Sequence, residues 1–278
     1  MAGPDFVGVG TLDAGAAWWH RALRAHPRVD SRRWRKRSLH FFDEFCIRPM
    51  TDADVAAYQS QFPRRGGRVT GEWTTRYAHD VWTPPLIARA APEAKLILLV
   101  SDPIERYRRR LARWHAGGSD YEPVHSLTDV TSRGHYATQL RRLTEHFPLD
   151  RVLVLQQEKC RADPLGEYAR TLRFLGIRDG YVPRRLRWQA ARAAGEDKPY
   201  IRLLRRSGVP LAKVKPLVRR LRRRPELSPV ELWPDLEESL HHEFDGEVRA
   251  LAELVPELDL SLWPNFAALA RDRSPVAA

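Results

Sequence analysis

Residues 6 to 25 predict a buried strand, a glycine-containing turn and a helix in direct succession. The segment opens on a short apolar run that a glycine ends, and a helix-forming stretch follows until Pro27 stops it. This order is the layout of a phosphate-binding loop, because a helix N-terminus favours an anion. The turn nevertheless carries Asp13 where a cation is expected, and Ala16 and Ala17 where hydroxyl groups are expected.

Strand and helix patterns alternate along the first two thirds of the chain. Lys95 to Val100 is almost continuously apolar, which is typical of a strand at the centre of a parallel sheet, and Arg151 to Leu155 is a further buried strand. Strands that alternate with helices form right-handed β-α-β units. The sequence therefore predicts an α/β core over residues 1–180, and a helical C-terminal region over residues 181–278 that packs on the same domain.

Composition excludes several classes of protein. The chain has 278 residues, of which 43% are hydrophobic and 29% charged, so it is globular rather than disordered. No apolar run reaches the roughly 18 residues of a membrane span, and the first residues do not resemble a secretory signal. Cys46 and Cys160 form no close pair, and the histidines lack metal-ligand spacing. We therefore expect a cytoplasmic protein without a metal site.

Most of the net charge of +12 comes from the segment 202–224, which contains ten lysines and arginines and no acid. One interpretation is a solvated basic helix that Pro210 and Pro216 interrupt. The other is a surface for an anionic partner, such as an acidic carrier protein or a membrane surface. Aromatic residues are not interleaved with the basic ones, so we expect no nucleic acid.

Five stretches in the same order resemble motifs of the PAPS-dependent sulfotransferase superfamily, most of all its bacterial small-molecule members. They are "FVGVGTLDAGAAWWHRALRAHPRV", "RSLHFFDEF", "GEWTTRYAHDVWTPPLIARAAPEAKLILLVSDPIERYRRRL", "SRGHYATQLRRLTEHFP" and "RVLVLQQEKCRADPLGEYARTLRFLGI". PAPS is 3′-phosphoadenosine 5′-phosphosulfate, the donor of the sulfuryl group. The resemblance implies a P-loop-kinase-like sulfotransferase fold, with a central, mainly parallel sheet flanked by helices and a helical C-terminal region.

The chain departs from the family at most positions that contact the donor's charges. The family usually has a loop lysine or arginine, paired threonines, a Lys-Glu pair and an Arg-Asp-Pro motif followed by a helical serine. The corresponding residues here are Asp13, Ala16, Ala17, Arg37, Ser38, Ser101 and Arg109. Retained family residues are Gly10, Gly15, Trp18, His40, Glu72, Trp73, Asp102, Pro103, Arg106, Arg133 and Gly134. The framework of the family is kept, while most donor contacts differ.

Three side chains are candidates for acid/base chemistry: Asp13, His40 and Glu72. Asp13 either caps the following helix, acts as an acid or base, or contacts a substrate amine. His40 is either a packed, half-buried histidine or a proton-transfer residue, since the resemblance places its segment beside the acceptor. Glu72 follows a strand end, where sheet topology places ligands. The alternative is a buried carboxylate paired with Arg76 or Arg106.

A second set of residues is predicted to bind substrate or an anion. Its members are Arg37, Ser38, Trp73, Arg106, Arg109, Arg133 and Gly134. The resemblance implies that Arg133 and Gly134 contribute to a 3′-phosphate site. Arg109 either supplies, from another position, the charge that is missing at Ser101, or is one of several solvated arginines in its helix.

Three functions follow from these patterns. We expect first a repurposed small-molecule biosynthetic enzyme that uses acid/base chemistry in the old sulfotransferase cleft and needs no PAPS or other cofactor. The second is a divergent PAPS-dependent sulfotransferase that acts on a small-molecule hydroxyl or amine. The third is a non-catalytic protein that binds an acidic partner through the segment 202–224. Binding of PAP, the desulfonated donor product, separates the second function from the other two.

Overall fold

The structure is a computed structural model, and it describes residues 3–30, 38–63, 66–117, 129–178, 180–193 and 230–271. Two features predicted from the sequence lie outside these residues: the basic segment 202–224 with its two prolines, and Arg37.

Four parallel strands form the central sheet: β1 (Phe6–Gly10), β2 (Gly71–Trp73), β3 (Lys95–Val100) and β4 (Val152–Gln156). Their order in the sheet is β2-β1-β3-β4. The predicted parallel sheet is confirmed. Because the chain leaves β1 toward one edge and later returns to its other side at β3, the loops after these two strands flank a crevice at their carboxyl ends.

Helices pack on both faces of the sheet. Those with described bounds are α1 (Ala16–Arg24), α2 (Asp52–Gln59), α3 (Thr83–Ala90), α4 (Pro103–Gly117), α5 (Tyr136–Thr144), α6 (Gln157–Ala162), α7 (Pro164–Phe174), α8 (Arg184–Ala193), α9 (Pro234–Leu254) and α10 (Ala267–Arg271). Short 3₁₀ turns cover Asp43–Cys46, Leu149–Arg151 and Leu260–Leu262. Within the described ranges, no helix has the length and apolar character that a membrane crossing requires.

The pattern of residues 163–175 predicts a helix, which α7 confirms, and the structure adds a further short helix, α6, directly before it. The Asp163 carboxylate accepts a hydrogen bond of 2.9 Å from the backbone N–H of Gly166, and Pro164 opens α7. Proline suits the first turn of a helix and disrupts a helix interior, so the chain restarts there. The additional helix α6 places Gln157 beside the turn after β1.

The alternation of side chains along the strands divides the core into two layers. Val7 and Leu96 pack in one layer, together with Tyr58 of α2. Trp73 and Ile97 pack in the other layer, against α1. Because successive residues of a strand point to opposite faces, Glu72 and Trp73 lie on opposite sides of the sheet. The layer that contains α1 borders the crevice described below.

Gly134 has a packing role in the contact between α5 and α9. These helices lie against each other, and Phe244 of α9 is fully buried. A Cβ atom at position 134 would come within 2.5 Å of the Phe244 ring. The amphipathic pattern of residues 133–147 predicts a helix, and α5 begins within it at Tyr136, after the turn that contains this glycine.

We expect Gly134→Ala to lower the free energy of unfolding by about 1–3 kcal/mol, because an added methyl group overpacks a filled contact. Gly246→Ala is the matched control. Gly246 lies inside α9, and no atom lies within 4 Å of a Cβ placed there. Replacing a helical glycine by alanine should raise stability by roughly 0.5–1 kcal/mol. Urea unfolding of both variants checks the pair, and shifts in the same direction would contradict this packing role.

Candidate functional site

Two adjoining cavities lie at the carboxyl ends of β1 and β3. The larger has a volume of about 470 Å³ and is bordered by the turn after β1, the start of α1, Ser38 and Trp73. The smaller has a volume of about 310 Å³ and extends toward Leu99 and α6. Asp13 and Arg113 line both cavities. The cavities therefore occupy the crevice that the strand order predicts for a ligand.

The turn between β1 and α1 is shaped by Gly15. Its φ of 90° lies in the left-handed region, and a Cβ atom there would approach the Gln157 side chain to 2.7 Å. Glycine tolerates this conformation and this close approach. Gly15 is also the N-cap residue of α1, and no side chain caps this helix. The sequence-based alternative that Asp13 caps the helix is therefore wrong.

The carboxylate of Asp13 is buried at the edge of both cavities. Its side chain is 0% exposed, and Oδ1 accepts a hydrogen bond from Nη1 of Arg113, a residue of α4 whose side chain is 52% exposed. Oδ2 has no hydrogen-bond partner among the described residues, and neither has the buried hydroxyl of Thr11 in the same turn. The turn thus presents a carboxylate, and α4 supplies the cation that pairs with it.

Arg109 and Ser101 meet on the wall of the crevice. Nη2 of Arg109 donates a hydrogen bond of 2.9 Å to the Ser101 hydroxyl, and Nη1 donates to the Gln157 side chain. Burial lowers the pKa of Arg109, and repulsion from Arg161 lowers it further. Arg109 is thus not a solvated arginine. An anion that binds beside Arg109 would offset both the desolvation of this guanidinium group and its repulsion from Arg161, so binding of an anion here is favourable.

The described residues that line the smaller cavity include three arginines, Arg109, Arg113 and Arg161, and a single carboxylate, Asp13. The larger cavity adds Arg21. Cations therefore outnumber acids in both cavities. A concave site with excess positive charge and partly apolar walls attracts and concentrates anionic ligands.

His40 forms a dyad with Asp43. The Nδ1 atom of His40 lies 2.9 Å from Oδ2 of Asp43, and the histidine side chain is 48% exposed. The φ of His40 is 55°, and its backbone N–H donates to the Thr74 hydroxyl at 3.4 Å. His40 lines neither cavity, but Ser38, two residues earlier, lines the larger one. The ring is thus oriented by a carboxylate that the sequence interpretation did not single out.

Glu72 is buried in the opposite layer of the core. Tyr58 and Thr74 donate hydrogen bonds of 2.8 Å to its two carboxylate oxygens. Burial raises the pKa of Glu72 to about 7, against the lowering effect of these hydrogen bonds. The alternative of a pairing with Arg76 or Arg106 is wrong, since the hydroxyl groups of Tyr58 and Thr74 contact the carboxyl group instead. Glu72 lines neither cavity.

Two further arginines predicted to bind an anion make protein contacts instead. Arg106 is buried and donates to the backbone carbonyl of Val130. Arg133 forms a two-nitrogen ion pair with Asp129, at 2.8 and 2.9 Å. Neither of them, nor Gly134, lines the two cavities. Their predicted anion-binding roles stay predictions; in the structure Arg106 connects α4 to the segment around residue 130, and Arg133 forms its ion pair within that segment.

The structure therefore gathers part of the predicted site. Asp13, Ser38, Trp73 and Arg109 line the cavities, whereas His40 and Glu72 do not. Sequence reasoning missed four further residues. Asp43 orients His40, and Arg113 is the cation that pairs with Asp13. Gln157 and Arg161 line the smaller cavity beside Arg109. A signal existed for Arg113, because it follows Arg109 by four residues and so lies on the same face of α4. Among the described residues, no cluster of histidine, cysteine and carboxylate side chains could hold a metal ion.

The chain is similar in sequence to curated sulfotransferases. The chain is 30% identical over 188 residues to the mouse heparan sulfate glucosamine 3-O-sulfotransferase 6, covering 63% of this chain and 53% of that protein. It is 28% identical over 189 residues to the human heparan sulfate glucosamine 3-O-sulfotransferase 3B1, with coverage of 63% and 46%. The chain thus spans about half the length of these curated relatives. No family model matches it.

A solved sulfotransferase from Alicyclobacillus acidocaldarius superposes on 95% of this chain and 99% of its own, with a TM-score of 0.64 and 21% identity. This similarity confirms the predicted fold, a mainly parallel sheet flanked by helices. The chain is therefore similar in sequence to curated sulfotransferases over part of their length, and it shares the fold of a solved bacterial sulfotransferase.

Proposed function

We propose that this protein is a PAPS-dependent sulfotransferase that transfers a sulfuryl group to a hydroxyl or amine of a small molecule. This is the second of the three functions considered from the sequence. The observation that carries it is the hydrogen bond between Arg109 and Ser101 on the wall of the smaller cavity. The family resemblance implies an arginine and a serine at these two positions, in the opposite order. The chain thus has both residue types at the site, with their positions exchanged.

The electrostatics of the crevice support donor binding. The donor carries a phosphosulfate and a 3′-phosphate, and both groups are anionic. Arg109 is desolvated and repelled by Arg161, so the free site holds excess positive charge with little compensation. Charge-assisted hydrogen bonds from arginine to phosphate are the strong ones, and arginine presents them in a planar fork. An anion of high charge would therefore bind where these guanidinium groups converge.

The proton acceptor in this proposal is His40, with Asp43 as the positioning residue. In the transfer, the acceptor's oxygen or nitrogen forms a bond to sulfur as the bond from sulfur to the bridging oxygen breaks. The electron pair of that bond leaves with PAP, and the acceptor's proton passes to His40. A carboxylate on Nδ1 fixes the tautomer in which Nε2 accepts a proton. The names of the curated relatives describe transfer to an oxygen, which favours a hydroxyl acceptor.

The other two functions have less support in the described residues. Acid/base chemistry without PAPS would need Asp13, His40 and Glu72 around one substrate, but Glu72 is buried among hydroxyl groups in the opposite layer of the core, away from both cavities. An acidic carrier protein as partner of the segment 202–224, and a cytoplasmic location, are proposals that rest on the sequence alone. Reversing four arginines of that segment to glutamate should abolish carrier-protein or lipid binding, and association that survives unaltered would contradict the partner.

The experiment that tests the proposed function is PAP formation from PAPS with a panel of simple phenols, alcohols and amines. We expect acceptor-dependent PAP release, and a loss of about 10²- to 10⁴-fold in His40→Ala, as is typical for a positioned proton acceptor. The matched control is His146→Ala, which removes an exposed histidine distant in sequence from the crevice. PAPS that stays intact across the whole panel would contradict the proposal, and so would full activity of His40→Ala.

A further inference from the structure

The turn after β1 has no cation of its own. Its residues 11 to 14 are threonine, leucine, aspartate and alanine, and Asp13 would by itself repel a sulfate. Like charges about 4 Å apart repel with roughly 4 kcal/mol at an effective dielectric constant of about 20. The structure nevertheless brings a cation to this position, because Nη1 of Arg113 donates to Oδ1 of Asp13. The ion pair thus neutralises the carboxylate where the two cavities join.

Arg113 is placed to contact a ligand as well as Asp13. It lines both cavities, and its side chain is half exposed while that of Asp13 is fully buried. A guanidinium group has five N–H donors in a rigid fork. Its Nη1 atom donates to Asp13, which is the one hydrogen-bonding partner of Arg113 among the described residues. Donors on the other nitrogens can therefore contact an anion while the ion pair is kept.

We propose that Arg113 is the cation that contacts the transferable sulfuryl group, and that Asp13 is the residue that positions it over the turn. The inference rests on the proposed function and deepens it by naming the source of the missing turn cation. Positive charge aimed at the bridging oxygen stabilises the negative charge that builds there as sulfur leaves. The turn cation has thus moved from the turn itself to α4, one helical turn beyond Arg109.

A series of variants that changes the charge at this point tests the inference. Arg113→Gln leaves a buried carboxylate unpaired, Asp13→Asn with Arg113→Gln leaves no charge, and Asp13→Lys with Arg113→Gln moves the cation into the turn. We expect PAPS affinity to fall about 100-fold in Arg113→Gln. Each of the two double variants adds one unit of positive charge to the one before it, and should recover about tenfold in PAPS affinity, which corresponds to about 1.4 kcal/mol per unit of charge. PAP lacks the sulfuryl group, and its affinity should change about threefold or less.

Arg110→Gln is the matched control, because Arg110 lies on the same helix and lines neither cavity. It should bind PAPS like the unmodified protein. Calorimetry measures both ligands, and thermal unfolding shows that each variant is folded. PAPS affinity that does not follow the charge series, or that changes in parallel with PAP affinity, overturns the inference while the proposed function stands. An unmodified protein that binds neither ligand overturns the proposed function itself.

Discussion

Arg109→Gln should weaken PAP binding by about 10- to 100-fold. The guanidinium group sits on the wall of the smaller cavity, held by Ser101 and Gln157, and a hydrogen bond to a charged group contributes about 1.5–3 kcal/mol. The fold should not weaken in parallel. Burial and the nearby Arg161 already disfavour the charged form of Arg109, so its removal relieves repulsion. Calorimetric titration of PAP together with urea unfolding separates the two effects.

The exchanged positions of serine and arginine permit a stricter test of the same site. Arg109→Ser alone should lose PAP affinity, and adding Ser101→Arg should restore it to within about tenfold. The restoration is expected because the charge returns to the same wall from the other position of the pair. Arg110→Gln serves again as the neutral control. If Arg109→Gln and Arg109→Ser both bind PAP normally, this wall of the crevice is not an anion site.

The second large effect concerns Glu72 and pH. Its pKa in the folded protein is about 7 because of burial, against an ordinary value of 4.5. At a pH between these two pKa values, Glu72 therefore still holds a proton in the folded state that it has lost in the unfolded state. The stability that the protonated carboxyl contributes is fully present below about pH 4.5 and is lost as the pH rises through 7. The cumulative loss is on the order of 3 kcal/mol.

Glu72→Gln removes this titration and keeps a group that can accept a hydrogen bond from Tyr58. Relative to the unmodified protein, the variant should therefore gain stability steadily between about pH 5 and pH 8. Urea unfolding across that range measures the difference between the two curves. The exposed Glu145→Gln should run parallel to the unmodified protein. A Glu72→Gln curve that is also parallel would show that Glu72 ionises in the fold without penalty.

Local patterns were enough to predict most of the fold. The apolar run at 95–100 marks the centre of the parallel sheet, and β1 with its turn and α1 was predicted within one residue. Thr51 caps α2 in a capping box with Asp54, a motif that four consecutive residues define. These features depend on residues close together in the sequence. The helix α7 was predicted, but the short helix α6 between β4 and Asp163 was not.

The candidate site was harder to predict, because its contacts join residues far apart in the chain. Motif positions pointed to Asp13 and Arg109, but not to the Arg113 partner a hundred residues after Asp13. Alternation along β2 also sends Glu72 away from the crevice, while the adjacent Trp73 lines it. A family motif identifies the positions near the donor. Which of those side chains face the cavity depends on sheet register and helix rotation, and the structure was needed to define them.

The central claim is that the crevice binds the bisphosphate part of the donor, and calorimetric titration of PAP into the purified protein at physiological salt tests it most directly. We predict micromolar or tighter binding that weakens as salt is added, because the contacts are ionic. Adenosine 5′-phosphate lacks the 3′-phosphate and should bind at least about tenfold more weakly, since one charged hydrogen bond contributes about 1.5–3 kcal/mol. Heats no different from those of dilution, or equal affinity for the two nucleotides, would contradict the account.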